Sequence, residues 1–396
     1  MDIFLSTNLN EVQEFLQFYA NVNLLQITDT KTSFPVFVLI LLLLGALIYK
    51  LNLPRFTFSS KVAFLFAVLC FAFTVRDYKY SNALYRIIVA FQEAKMQAMR
   101  ITVAHKQFLT SKVDSIAKMQ HISTQQNIGG QPPYIVIILG ESTQRGYMSL
   151  YGFSLATSPN LLEFAKSKNL FIFDNIISPA TSTNASLEKV LTINNYENNA
   201  IPWFSQFNII DILKIAGYNT TWISNQPGTT AHESVATSIA KQADNASFAK
   251  YGKYDESILP LLDSIKQQNT KQKQAYIIHL VGTHWFYQFR YPPNKAHFTD
   301  KDVESIQGAY KLTPAQRANK RHYLNAVLYN DFIVASIIER FQNDNAIIFY
   351  LSDHGEELYE TRGIAGHGGK SHFMVEIPFM IYTTDKHKRI IKHKLL

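Results

Sequence analysis

Residues 346–357 read AIIFYLSDHGEE. An apolar stretch rich in β-branched and aromatic residues, cut off by polar ones, reads as a buried strand, and this one stops on Asp353 and His354. Working outward, the same pattern recurs. YIVIILGES (134–142) closes on Glu141, FIFDNI (171–176) leads into Ser178 to Thr183, WISNQ (222–226) carries Asn225, and AYIIHLVGTH (275–284) carries His279 and His284. Strands are therefore expected over Tyr134 to Leu139, Leu170 to Ile177, Thr220 to Ser224, Tyr276 to Leu280 and Ala346 to Leu351, with IPFMIY (377–382) strand-like as well. Longer helical stretches alternate with them, the pattern of an α/β domain. Thr313 followed by Pro314 predicts an N-cap and first-turn proline for a helix running to about Phe341.

The composition is that of a folded chain, with 47% hydrophobic and 17% charged residues among 396. The net charge of +8 is partly a basic C-terminal tail. No basic groove interleaved with aromatics accompanies it, which argues against nucleic acid as a partner. The single cysteine, Cys70, excludes an intramolecular disulfide and a cysteine-based zinc site.

Two apolar runs precede the α/β pattern. Phe34 to Leu51 has the length and apolarity of a membrane-spanning helix, and Val62 to Val75 reaches that length when extended back past Lys61. Lys50, Arg55 and Lys61 lie between them with no acidic residue, so the positive-inside rule places that loop in the cytoplasm and everything after Val75 outside. From Asp77 to about Ile122, Tyr85, Ile88, Val89, Gln92, Met96 and Met99 fall at mixed three and four spacing, with basic residues on the other face, and predict a juxtamembrane amphipathic helix, lying on lipid headgroups or packed on the following domain. A linker with Gly129, Gly130, Pro132 and Pro133 ends it. The expected organisation is an anchor over 1–76 with about two spans, a helix and linker over 77–133, and a catalytic domain over 134–396.

Ligand sites in open α/β sheets form beyond the carboxyl ends of strands, where every polar cluster above falls. Taken singly, each has an ordinary reading: a strand-end carboxylate caps a helix, Thr181 and Ser182 are N-cap residues, and Asn225 is a turn residue. Taken together, the clusters supply Glu, Asp and His, which are zinc-type oxygen and nitrogen ligands, and three of these with an open position make the pattern of a catalytic site. ATSTNASL (180–187) puts hydroxyls at the start of a helix, where backbone N–H groups favour a phosphoryl group. A threonine hydroxyl needs a base or a metal to become a nucleophile, and no Ser-His-Asp spacing is present, so metal activation is the better reading.

These segments resemble bacterial phosphoethanolamine transferases of the sulfatase and alkaline phosphatase superfamily. GESTQRGYMSLYGF (140–153), ATSTNASL (180–187), HLVGTHWFYQFRYP (279–292), and SDHGEE (352–357) followed by GHGG (366–369) occur in the family's order across the soluble part. The resemblance implies a mostly parallel sheet flanked by helices, N-terminal transmembrane helices, and one or two zinc ions. It implies Glu141, Asp353, His354 and Thr183 as metal ligands and Thr183 as nucleophile. It further implies His284 and His367 as catalytic histidines at the phosphate or a second metal, with His279 and Asn225 at the substrate. The reaction implied is transfer of phosphoethanolamine from phosphatidylethanolamine through a phospho-threonine to lipopolysaccharide (lipid A or core sugar) or another periplasmic glycan. The setting is the bacterial inner membrane, with the catalytic domain in the periplasm.

Against that family the chain looks short at both ends, with fewer membrane helices and little sequence after IPFMIY. A truncated, non-catalytic envelope protein is one alternative, and a phosphoglycerol transferase or phosphodiesterase of the superfamily another. A sulfatase would need a C/S-x-P-x-R run, which the sequence lacks.

Overall fold

A computed structural model describes Lys112, Ile116 and residues 133–395, apart from 198, 227, 229–233, 250–253, 269–272, 307–310 and 362. Both apolar runs and nearly all of the expected amphipathic helix lie outside the described residues. Among the described residues no helix is long and apolar enough to cross a membrane.

In chain order the strands are β1 (Tyr134–Gly140), β2 (Leu170–Phe173), β3 (Asn219–Ser224), β4 (Asn245–Phe248), β5 (Gln274–His279), β6 (Ala346–Ser352), β7 (Glu357–Leu358), β8 (Ala365–Gly366) and β9 (Phe379–Thr383). The helices are α1 (Pro159–Lys166), α2 (Thr183–Val190), α3 (Ile209–Ile215), α4 (Val235–Ala240), α5 (Ile258–Gln268), α6 (Asp300–Ser305), α7 (Pro314–Glu339) and α8 (Asp385–Leu395). Seven strands form one sheet in the order β2-β9-β6-β1-β5-β3-β4, and β7 and β8 form a separate hairpin. Only β9 runs against the rest of the large sheet.

The sheet is mostly parallel because its central strands are covered on both faces, as the continuous apolar runs of β1, β5 and β6 require. Val136 and Ile138 point into a core with Tyr276, Ile278, Ile348 and Tyr350, closed by Tyr323, Leu324, Val327, Ile333, Val334 and Ile337 of α7. Leu139 faces the other side with Ala275, Ile277 and Trp222, covered by Leu187 of α2, Ile210 and Leu213 of α3, and Val235 and Ile239 of α4. Each such side chain contributes about 1.5–3 kcal/mol by leaving water. α7 starts where the sequence indicates: Thr313 and Gln316 form a capping box and Pro314 occupies the first turn.

Two expectations need correction. The strand expected over Leu170 to Ile177 ends at Phe173, and Ile177 makes only an isolated bridge to Glu376. β2 is an edge strand, so nothing on its outer side prolongs the pairing. The polar NASF of β4 gave no hydrophobic signal, yet it pairs in parallel with β3 at the opposite edge.

The helical segment at Lys112 packs on the domain. The Lys112 ammonium is buried in an ion pair with Asp211, 2.8 Å from Oε1 of Gln242, and burial pulls its pKa down.

Candidate metal centre and active site

β1 and β6 are paired so that Gly140 lies opposite Ser352, which puts Glu141 and Asp353 side by side just past the two strand ends. The chain turns sharply there, with Ser142 in the left-handed region at φ 58°. That turn is held from three directions. The Ser142 amide donates to Oδ1 of Asp353 (3.1 Å), Thr143 N donates to Ser352 Oγ (2.8 Å), and the Tyr323 hydroxyl of α7 donates to Ser142 O (2.9 Å).

β5 supplies the third wall. Leu139 pairs with His279, and beyond it Gly282 passes against the Glu141 backbone at φ 55°; a Cβ there would sit 2.8 Å from Glu141 O. Glycine is needed at this position for both reasons. Asp255, which sequence reasoning missed, fixes the same loop by accepting from Val281 N (3.0 Å) and Gly282 N (2.8 Å).

Thr183 arrives from β2 on a loop stitched to its neighbours. Ser178 N donates to Val375 O (2.7 Å), the Ser178 hydroxyl to Asp353 O, and Gly368 N to Thr181 O (2.6 Å). Ser182 occupies the N-cap of α2 without a side-chain capping bond, and Thr181 donates instead to Gly369 O (3.1 Å). Thr183 is the first residue of the helix.

The expected ligands converge. Thr183 Oγ1 lies 3.1 Å from Glu141 Oε1 and 3.2 Å from His354 Nε2, and that nitrogen lies 3.2 Å from Glu141 Oε1 and 3.4 Å from Asp353 Oδ2. The ligand atoms of Glu141, Asp353 and His354 all fall within 4.8 Å of one another. His354 donates Nδ1–H to Gly355 O (2.8 Å), so the Nε2 lone pair of the neutral ring points into the cluster. Asp353 Oδ2 is buried and accepts no hydrogen bond.

The electrostatics ask for a cation. Burial and the neighbouring Glu141 charge push the Asp353 carboxyl up. Burial would raise Glu141 too, but the His354 hydrogen bond and charge outweigh it and hold Glu141 well below the usual carboxylate range. Burial opposes a proton on His354, yet Asp353 and Glu141 raise its pKa to about 10. A proton on Nε2 thus stands where a divalent ion would do the same work better, and the donor set of two carboxylates, an imidazole and a hydroxyl fits zinc.

A second group adjoins the first. The His367 ring lies 4.3 Å from that of His354 and 5.8 Å from that of His284, centroid to centroid. His367 Nδ1 is 2.9 Å from Oε2 of Glu356, whose Oε1 accepts from the Tyr287 hydroxyl (2.6 Å). His354, Glu356 and His367 also bring ligand atoms within 4.8 Å of one another. Glu356 and Tyr287 were missed in the sequence, although Glu356 stands in the quoted SDHGEE. Burial lowers His284 to about 3, keeping the imidazole neutral.

His279 and Asn225 have their own partners beside the cluster. His279 is buried between Ser224 Oγ (3.4 Å from Nδ1) and the Trp222 ring, and burial lowers it to about 4. Asn225 uses both ends of its amide on structure, donating to Asp255 Oδ1 (2.9 Å) and accepting from Ser257 Oγ (3.0 Å). The neighbouring Gln226 reaches the centre instead, its Nε2 lying 3.4 Å from Glu141 Oε2.

Residues 133–395 match the family model described as sulfatase. The chain belongs to the sulfatase family. Among its relatives are phosphoethanolamine transferases: EptC of Escherichia coli (strain K12) is 34% identical over 271 residues, covering 65% of this chain and 46% of that protein. CptA of Salmonella typhimurium is 28% identical over 298 residues, covering 72% and 51%. This sulfatase-family chain thus spans about half the length of the curated relatives it matches. The crystal structure of the C-terminal periplasmic domain of EptC from Escherichia coli in complex with zinc matches with a TM-score of 0.61 at 33% identity, covering 66% of this chain and 75% of that one. The sheet flanked by helices is therefore the sulfatase and alkaline phosphatase fold, as expected.

Proposed function

We propose that this chain belongs to a zinc-dependent phosphoethanolamine transferase of the bacterial inner membrane, working on the periplasmic side. It would take phosphoethanolamine from phosphatidylethanolamine and give it to lipopolysaccharide or another glycan. The observation that carries this reading is Thr183 Oγ1, placed within 3.2 Å of both Glu141 Oε1 and His354 Nε2 at the first turn of α2. A hydroxyl inside a ligand cluster, at a helix N-terminus that favours anions, is built for attack on a phosphate ester.

Zinc held by Glu141, Asp353, His354 and Thr183 would supply Lewis acidity that lowers the threonine pKa and offsets charge on the phosphoryl oxygens. A neutral imidazole beside the cluster, His284 or His367, takes the Thr183 hydroxyl proton as Oγ1 attacks phosphorus; the bond to the diacylglycerol oxygen breaks, that oxygen receives the proton from the imidazole, and a phospho-threonine forms. In the second half the imidazole takes the proton of the acceptor hydroxyl as its oxygen attacks phosphorus, and returns it to the released Thr183 oxygen. The relatives support the transferred group and the acceptor class: one is named a Kdo(2)-lipid A phosphoethanolamine 7''-transferase, from Salmonella typhimurium.

Intact-mass analysis of the detergent-solubilised chain with phosphatidylethanolamine tests this. A phosphoethanolamine adduct that disappears in Thr183→Ala and after chelation is expected. Its absence from folded, zinc-loaded wild type would overturn the donor assignment.

A further inference from the structure

We infer that the rim around the Thr183 loop is a membrane-contact surface that seats on the bilayer holding the lipid donor, an inference that rests on the donor reading above. Two of the large apolar side chains most open to solvent lie at this loop. Ile177, which immediately precedes Ser178, and Tyr196 are each 64% exposed. The Tyr196 hydroxyl donates to Pro179 O within the loop itself. Ile193 and Ile201, 44% and 52% exposed, lie on the same connection between α2 and α3. That connection is cross-linked within itself, since Ile193 N donates to Phe207 O (3.1 Å) and Gln206 donates to Ile201 O (2.5 Å).

Water is a poor solvent for such side chains, and apolar surface exposed next to a reaction centre signals a partner. The chemistry of the donor selects which one. The phosphorus that meets Thr183 is only a few bonds from two acyl chains, so those chains pass over the rim or remain in the bilayer beneath it. The apolar runs Phe34 to Leu51 and Val62 to Val75 lie in the same chain, ahead of the domain, which keeps a bilayer within its reach. A tyrosine with its ring outward and its hydroxyl bonded suits an interface that is apolar on one side and wet on the other.

The test uses the full chain with Cys70→Ser, labelled with an environment-sensitive fluorophore at Ile177→Cys, Tyr196→Cys or, as a control, Asn245→Cys. Asn245 opens β4, at the sheet end away from the site. In vesicles of phosphatidylethanolamine and phosphatidylglycerol, labels at 177 and 196 are expected to shift to the blue and to be quenched by brominated lipid, while the 245 label stays water-like. Ile177→Glu and Ile193→Glu are expected to lower adduct formation from vesicle lipid about tenfold and leave a short-chain, water-soluble phosphatidylethanolamine unaffected. Water-like emission at 177 and 196, or equal loss on both donors, overturns the inference. A blue shift that follows protein concentration rather than lipid overturns it too, giving the patch to a second copy. Bromolipid quenching without adduct from either donor keeps the surface and removes the donor reading.

Discussion

Thr183 Oγ1 donates to Glu141 Oε1 across 3.1 Å although the residues are 42 apart in sequence. The contact exists because β1 ends beside the loop that delivers α2. Glu141→Gln keeps the shape and removes the charge, so zinc affinity is expected to fall by at least about tenfold, with adduct formation falling alongside it. Titration against a chromophoric chelator measures this, and unchanged affinity would strike Glu141 from the ligand set.

Gly282→Ala places a methyl 2.8 Å from Glu141 O at a positive φ. A stability loss of roughly 1–3 kcal/mol is expected, together with weaker zinc binding, because the only relief is to move Glu141. Denaturant unfolding with and without zinc separates the two effects; a neutral outcome in both would mean that the β5 loop does not position Glu141.

Asn225→Ala removes the donor to Asp255 and the acceptor for Ser257, at an expected cost of about 1–3 kcal/mol. If the residue only supports the β5 loop, kcat falls and KM for the lipid donor stays constant. A selective rise in KM would instead place Asn225 on the substrate.

Lys112 and Asp211 form a buried ion pair, so Asp211→Ala strands an ammonium. The domain is expected to lose about 3–5 kcal/mol, while the double variant Lys112→Met with Asp211→Leu recovers much of it. Thermal melting of the three proteins decides this; no recovery would show that Asp211 matters chiefly as the capping-box residue of α3.

His322 supplies a pH dependence outside the metal centre. Burial lowers it to about 4 from 6.5, helped by the Arg321 charge, while Tyr291 lies 2.7 Å from Nδ1. The unfolded chain therefore binds more protons between these values. The stability involved is complete above pH 6.5 and lost as pH falls toward 4, about 1–3 kcal/mol after allowing for partial exposure. His322→Gln should flatten the stability curve over that window, and an unchanged slope would assign the acid sensitivity elsewhere.

Much of this molecule is legible from its strands. Runs such as YIVIILG and AIIFYLS must leave water on both faces, which fixes buried parallel strands, and the polar residues that stop them are driven to the strand ends. Glu141, Asp353 and His354 stand out in the sequence as strand-end polar residues for that reason. Thr183 does not stand out alone: ATSTNASL offers three consecutive hydroxyls at the helix start, and only the family resemblance picks one of them.

The strand order decided the rest. Setting β6 and β5 on either side of β1 brings residues from distant parts of the sequence within hydrogen-bond reach, and no local pattern specifies that register. The partners of each polar side chain depend on it as well. Asn225 and Gln226 are neighbours in sequence, yet the turn after β3 sends one to Asp255 and the other to Glu141. Asp255, Glu356, Tyr287 and Lys112 carried no periodic signal, because a buried polar side chain is defined by the group it satisfies, and only folding supplies that group.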